Sequence, residues 1–174
     1  MTTVSFSRGY CLETLCRDHP RRKFACGETP VDDWLRTKAL QHQEKRLSAT
    51  KVLLDSNRGI AGFYTLATGQ IDFGELPMEI AHKLPRRALP VAVLAWLGVG
   101  RDHQGEGLGT LLLAQALRDC HEAGQTFAFI AVVLDCVNDA AKRFYQRFDF
   151  EELPGHSHRL FLSAARLAAM MDDG

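Results

Sequence analysis

The chain has no excess of either charge: 21 lysines and arginines stand against 21 aspartates and glutamates in 174 residues. That total does not advertise a nucleic-acid or membrane surface, so any basic contact has to come from local clusters. Long apolar runs are missing too. The longest, Val91–Val99, falls far short of a membrane span. Met1–Arg8 contains no apolar leader, so the expected location is the cytoplasm. The five cysteines, at 11, 16, 26, 120 and 136, are odd in number and form no C-x-x-C. A disulfide framework and a zinc ribbon are thereby disfavoured, and reduced thiols fit the same compartment. No Gly-Lys pair occurs anywhere, which removes the P-loop. Neither repeats nor low-complexity segments interrupt the chain, so residues 1–174 read as one domain with a substantial core.

The most informative stretch present is Gln104-Gly105-Glu106-Gly107-Leu108-Gly109-Thr110. It follows the apolar run Pro90–Val99 and precedes a helical pattern, Leu111–Ala123. A strand, a glycine-rich turn and a helix start together present backbone N–H groups to a phosphate. Glycines let the backbone approach a ligand without an intervening Cβ, and the helix dipole adds partial positive charge. A dinucleotide fold would need G-x-G-x-x-G followed by an acidic residue at the end of a second strand. Here Gly105, Gly107 and Gly109 alternate, so the third glycine comes one residue early, and Glu122 falls inside the helical pattern. On spacing alone, a glycine-rich turn without a ligand stays open.

The remaining pattern predicts the elements. Val4–Leu15 reads as a first strand with its loop. Thr29-Pro30-Val31-Asp32 reads as a helix start capped by Thr29, with the helix running to about Gln43. Thr50–Leu54 and Ile60–Ile71 form a hairpin around Ser56–Gly59. Phe73–Pro90 is a loop with a short helix at Met78–Leu84. Pro90–Val99 and Phe127–Leu134 are buried strands flanking a helix that Gly124 ends. Asn138–Phe148 is helical, with Ala140, Phe144 and Phe148 on the core face. Phe150–Leu153 and Arg159–Leu162 make a closing pair, and Met170–Gly174 a frayed end. The result is a mixed α/β sheet with helices on both faces.

The motif Q-x-x-G-x-G (Gln104, Gly107, Gly109) resembles the acyl-CoA pyrophosphate loop of the GNAT N-acetyltransferases. The element order matches that fold over nearly the whole chain. More narrowly, the chain resembles the GNAT toxins of bacterial toxin–antitoxin pairs. The likeness runs through Phe24–Gly27, Val31–Leu35, Ala61–Ala67, Leu84-Pro85, Pro90-Val91, Ala140–Tyr145 and Arg159–Leu162. The resemblance implies a mostly antiparallel sheet splayed between two central parallel strands, with acetyl-CoA bound between Val91–Val99 and Phe127–Val133. It implies that the backbone of Leu97 and Val99 pairs with the pantetheine, with Gly98 and Gly100 at a bulge. The diphosphate then sits on the main chain of Gln104, Gly105, Glu106, Gly107, Leu108, Gly109 and Thr110, with Glu106 turned out to solvent. The implied substrate is the α-amine of aminoacyl-tRNA and the implied partner a ribbon-helix-helix antitoxin. A homodimer is implied, and a metal or a membrane is not.

By the same resemblance Tyr145 lies near the CoA sulfur, where a phenol of pKa about 10 stays neutral at pH 7 and can protonate a leaving thiolate. By periodicity alone it is a core aromatic. Asn138 is either a helix cap or a contact to the CoA arm. No general base stands out; Glu75, Glu79 and His82 are the candidates. His156 and His158 are too few for a metal site, and Cys26 reads as packing. The chain departs from the toxin pattern at Trp96, where a basic residue is usual, at Gly100, where an acidic one is, and at Asp149 in place of glycine. The loss of the basic residue weakens the case for tRNA, because phosphate contacts dominate nucleic-acid affinity. Arg21–Lys23, Arg86-Arg87 and Lys142–Arg147 could substitute. The other acceptors compatible with the residues are a small amine, an antibiotic or a protein N-terminus, and a non-catalytic CoA-binding module is the alternative from another class.

Overall fold

A computed structural model of the chain describes residues 4–173; Met1–Thr3 of the opening stretch and Gly174 of the expected frayed end lie outside the described residues. Seven strands follow one hydrogen-bonded order, β1-β2-β3-β4-β5-β7-β6. They are β1 (Cys11–Thr14), β2 (Ala49–Leu54), β3 (Ile60–Asp72), β4 (Ala88–Val99), β5 (Ala131–Asp135), β6 (Glu151–Leu153) and β7 (His156–Ser163). β4 and β5 are the parallel pair, in register at Ala92–Val132 and Val93–Val133. The chain forms two compact units, and β3 and β4 supply residues to both.

One unit comprises residues up to Ala67 together with Leu94–Arg118. Its helical segment runs through α1 (Thr29–Asp33), a π-helical stretch (Trp34–Lys38) and α2 (Ala39–Glu44). Pro30 sits at the helix start as expected, but Thr29 does not cap it. The cap position is Glu28, and no side chain caps there. Instead the nearby Asp32 carboxylate accepts the Cys26 backbone N–H at 2.8 Å, which ties the helix to the preceding turn. Val31, Trp34, Leu35 and Ala39 are buried against Phe24, Val52, Leu54 and Phe63. Within this core Thr65 Oγ1 accepts the Trp34 indole N–H at 3.0 Å and lies 2.7 Å from Thr50 Oγ1.

The other unit comprises Thr68–Val93 and the chain from Asp119 onward. It contains α3 (Met78–Ala81), α5 (Asp139–Gln146) and α6 (Ala164–Asp172). Its core gathers Ile71, Leu76, Leu89, Val91, Ala131, Leu153 and Phe161. α4 (Leu108–Gly124) contributes to both units.

Four expectations need correction in this second unit. β5 starts at Ala131, not Phe127: the Thr126 and Phe127 N–H groups still bond back to Ala123 in a turn, and Phe127 is 79% exposed. Gly124 does not end α4 through a left-handed conformation. It is the last helical residue, and a Cβ there would lie 3.0 Å from the Phe129 ring, a tight approach that glycine leaves open. The end of the chain is not frayed through Asp172: Ser163 caps α6 by accepting the Arg166 N–H at 3.1 Å. Finally, the α5 residue that reaches the core is Tyr145, while Phe144 and Phe148 are half-buried and Ala140 is exposed.

Thr65 supplies the oxygen that satisfies a buried indole N–H. Thr65→Val should therefore cost about 1–3 kcal/mol, the penalty for an orphaned buried donor, read as a lower urea midpoint at unchanged slope. An unchanged midpoint would mean the hydroxyl network contributes nothing to stability.

Candidate functional site

The glycine-rich loop leaves β4 through a tightly held junction in the first unit. The Gly100 N–H donates to the Ala61 carbonyl and the Arg101 N–H to the Ala25 carbonyl, both at 2.8 Å. A 3-10 turn, Arg101–His103, follows. The Gln104 side-chain amide then donates to the Cys26 carbonyl at 2.7 Å and to the Val99 carbonyl at 3.0 Å. Gln104 thus braces the loop with its side chain, and the Val99 carbonyl is already engaged. Gly98 is required by close approach: a Cβ would meet Val31 at 2.8 Å and Phe63 at 3.2 Å. Leu97 and Val99, the other residues expected to face the pantetheine, lie half-buried in β4.

Gly105 and Gly107 both have left-handed backbones, at φ +82° and +81°, where an L side chain is strained. A Cβ at either would meet nothing within 4 Å. The backbone is therefore bare on an open side, as a phosphate cradle needs, and α4 opens with Leu108 immediately after. Leu108 is buried and anchors the loop, while Gly109 and Thr110 lie in the first helical turn. Glu106 is exposed, as expected, and is also held by neighbours. Its carboxylate accepts the Tyr10 hydroxyl at 2.8 Å, and His103 Nδ1 lies 3.0 Å from that same hydroxyl. The Tyr10 contact was invisible in the sequence, because 96 residues separate the partners.

Trp96 stacks on Trp34, with ring centroids 5.3 Å apart and planes 13° off parallel. It packs against the helical segment, at the position where the resemblance has a basic residue and this chain does not. Arg17, Arg21, Arg22 and Arg36 line a cleft of about 730 Å³ together with Thr37, Leu40, Gln41 and Glu44. Arg17 pairs with Glu44 at 2.9 Å, and Arg36 donates to the Phe24 carbonyl. The buried Arg21 Nε has no hydrogen-bond partner among the described residues.

The tyrosine helix belongs to the second unit. Asn138 caps α5 by accepting the Ala141 N–H at 2.8 Å. Tyr145 is 8% exposed and packs edge-on against Phe144 and Phe150, with centroids 5.1 and 5.8 Å away. Burial, with Cys136 a lesser cause, pushes the Tyr145 phenol well above its ordinary value, so the hydroxyl stays protonated through the neutral range. Asp149 has φ +67°, the left-handed backbone that suits the glycine usual there, and Arg166 holds its carboxylate at 3.0 Å.

Of the general-base candidates, Glu75 is bound up structurally. It accepts the Asp72 N–H and lies 3.5 Å from His156 and 3.8 Å from Arg159. His82 Nδ1 bonds the Met78 carbonyl. His158 pairs with Asp139 at 2.9 Å, and among the described residues no group of three potential ligands could hold a metal. Burial raises the Cys26 thiol to about 11, and Asp32 adds to it. The Cys120 thiol is raised to about 12 by burial. Neither is poised as a thiolate.

The model of the acetyltransferase (GNAT) family matches residues 12–150. The chain is 33% identical over 150 residues to the tRNA-acetylating toxin of Mycobacterium tuberculosis (strain ATCC 25618 / H37Rv), covering 86% of this chain and 89% of that one. It is 25% identical over 162 residues to the probable toxin TacT of Sinorhizobium fredii (strain NBRC 101917 / NGR234), covering 88% and 90%. AtaT complexed with acetyl-methionyl-tRNAfMet superposes with TM-score 0.85 at 23% identity, covering 93% of this chain and 99% of that chain. A mutant AtaT bound to the C-terminus of the antitoxin AtaR and acetyl-CoA superposes with TM-score 0.79 at 19% identity, covering 94% and 98%. At these identities the structural likeness is one of fold.

Because Gly107 is left-handed and open, Gly107→Ala should strain the loop by about 1–2 kcal/mol and weaken acetyl-CoA binding about tenfold while the protein stays folded. Titration calorimetry and a thermal melt check both halves; unaltered affinity would take the diphosphate off this loop.

Proposed function

The chain belongs to the GNAT acetyltransferase family and is an acetyl-CoA-dependent N-acetyltransferase; we propose that its acceptor is the α-amine of the amino acid on a charged tRNA, and that the protein is a translation-blocking toxin. The observation that carries this reading is the 33% identity to a tRNA-acetylating toxin over most of both chains.

In this reading the main chain of Gln104–Thr110 holds the diphosphate, and the backbone of β4 at Leu97–Val99 aligns the pantetheine. The free amine attacks the thioester carbonyl carbon, the carbon–sulfur bond breaks, and the leaving sulfur takes a proton from the Tyr145 hydroxyl. The proton that the new amide nitrogen sheds is passed by water to the phenolate and restores the phenol. The Tyr145 hydroxyl is protonated through the neutral range and is therefore available as a donor. No side chain is assigned as general base. An α-amine beside an ester has a depressed basicity and needs little help. The raised thiols of Cys26 and Cys120 support direct transfer without a covalent enzyme intermediate.

Arg21 and Arg22, with Arg17 and Arg36 in the same cleft, supply the phosphate contact that Trp96 does not. The partner in this reading is an antitoxin with a ribbon-helix-helix DNA-binding part. The acting species is a homodimer in the cytoplasm, and residues 1–174 work as one catalytic domain. Asn138 acts on the site only through the helix it caps.

The test is labelled acetyl-CoA with a pool of charged tRNAs. Label should appear on aminoacyl-tRNA, and Tyr145→Phe should bind acetyl-CoA normally while turnover falls strongly, by about 10²-fold or more. Near wild-type turnover would remove Tyr145 from the chemistry. Absence of label on tRNA, with acetyl-CoA still bound, would move the acceptor to a small amine or a protein N-terminus.

Replacing Arg21 and Arg22 together by alanine should weaken tRNA binding and flatten its salt dependence by about two log units per log unit of salt, leaving acetyl-CoA affinity unchanged. An unchanged salt slope would place the RNA elsewhere.

A further inference from the structure

A carboxylate is an awkward neighbour for a diphosphate, yet Glu106 sits between the two left-handed glycines of the cradle. What holds it is a chain of polar contacts in the same unit. Glu106 Oε2 accepts from the Tyr10 hydroxyl at 2.8 Å, the hydroxyl lies 3.0 Å from His103 Nδ1, and His103 Nε2 lies 3.2 Å from Asp55 Oδ2. Asp55 is itself fixed, because its other oxygen accepts the Asn57 and Gly59 N–H groups at 2.9 Å.

The one phenolic proton goes to Glu106, since an ionised carboxylate only accepts. The His103 ring lies within hydrogen-bond distance of the phenol oxygen on one side and of Asp55 on the other, so it links the two. Burial, and then the hydrogen bond to Glu106, raise the Tyr10 phenol, in keeping with its role as a neutral donor.

We propose that Tyr10 and His103 are positioning residues for the transfer: braced on Asp55, they hold the Glu106 carboxylate off the acetyl-CoA diphosphate. This rests on the assignment of the diphosphate to residues 104–110. The charged groups facing His103 are Asp55 from the β2–β3 turn, Glu106 from the loop, and Lys23, Arg101 and Asp102, which line the same cleft of about 280 Å³. Without the Tyr10 hydroxyl, Glu106 loses the donor that holds it and is free to approach the anion.

The test is acetyl-CoA affinity by calorimetry for the wild type, Tyr10→Phe and the double variant Tyr10→Phe with Glu106→Gln. The single variant should bind about tenfold more weakly. The double variant should recover to within about twofold of the wild type, because the charge the brace restrained is gone. A merely structural Tyr10 would give no rescue, and unaltered affinity in the single variant or no rescue in the double one overturns the proposal. Gly107→Ala separates the two assignments: if it weakens binding while the rescue fails, the brace alone has failed, and if it leaves affinity unaltered, the diphosphate assignment has failed and the positioning role falls with it.

Discussion

The end of β4 is locked from both sides by backbone hydrogen bonds, and the glycine-rich loop hangs from that lock. Gly100 is held by Ala61 of β3, and Arg101 by Ala25 of the turn before α1. Gln104 closes the junction by reaching back to Cys26 and Val99. Side-chain-free positions make the approach physically possible: a Cβ at Gly98 would strike Val31 and Phe63, and one at Gly62 would lie 3.0 Å from the Gly98 carbonyl. A loop that leaves such a junction has its direction fixed before any ligand arrives, and geometry prepared in advance is what a transfer reaction between two bound groups depends on.

In each unit the electrostatics are arranged by restraint more than by charge. The raised thiols of Cys26, Cys120 and Cys136 are kept out of nucleophilic chemistry by burial. The Tyr145 phenol is kept neutral by the same cause. Asp55, His103, Tyr10 and Glu106 form a network whose members are half-exposed singly but mutually satisfied together. In each case a group that would be reactive or repulsive in water is held in one state by its neighbours.

Much of this was legible from local pattern. The hairpin of β2 and β3, the proline-started helix, the strand before the glycine loop and the helix after it all carry their signals within a few residues. The departures arise where the deciding partner is distant. Phe127–Ile130 looks like strand by composition, but the turn out of α4 and its bonds to Ala123 keep Phe127 outside the ladder. The periodicity of α5 put Phe144 and Phe148 on the core face, whereas packing against Phe150 selected Tyr145. Thr29 has the chemistry of a cap, but the helix begins one residue sooner, and Asp32 is turned to Cys26 instead. Asp149 shows the opposite case: a position where glycine was expected keeps the left-handed backbone.

By itself the sequence determined the element order, the spacing of the Q-x-x-G-x-G loop and the family, because these depend on periodicity and on backbone freedom at single residues. Only the tertiary structure decided that Gln104 is a brace, that Trp96 stacks on Trp34, that Tyr145 is buried and that Glu106 is held by Tyr10. The physical reason is the same in each case. Burial and hydrogen bonding are properties of pairs, and the partners of Gln104, Trp96 and Glu106 stand 78, 62 and 96 residues away along the chain.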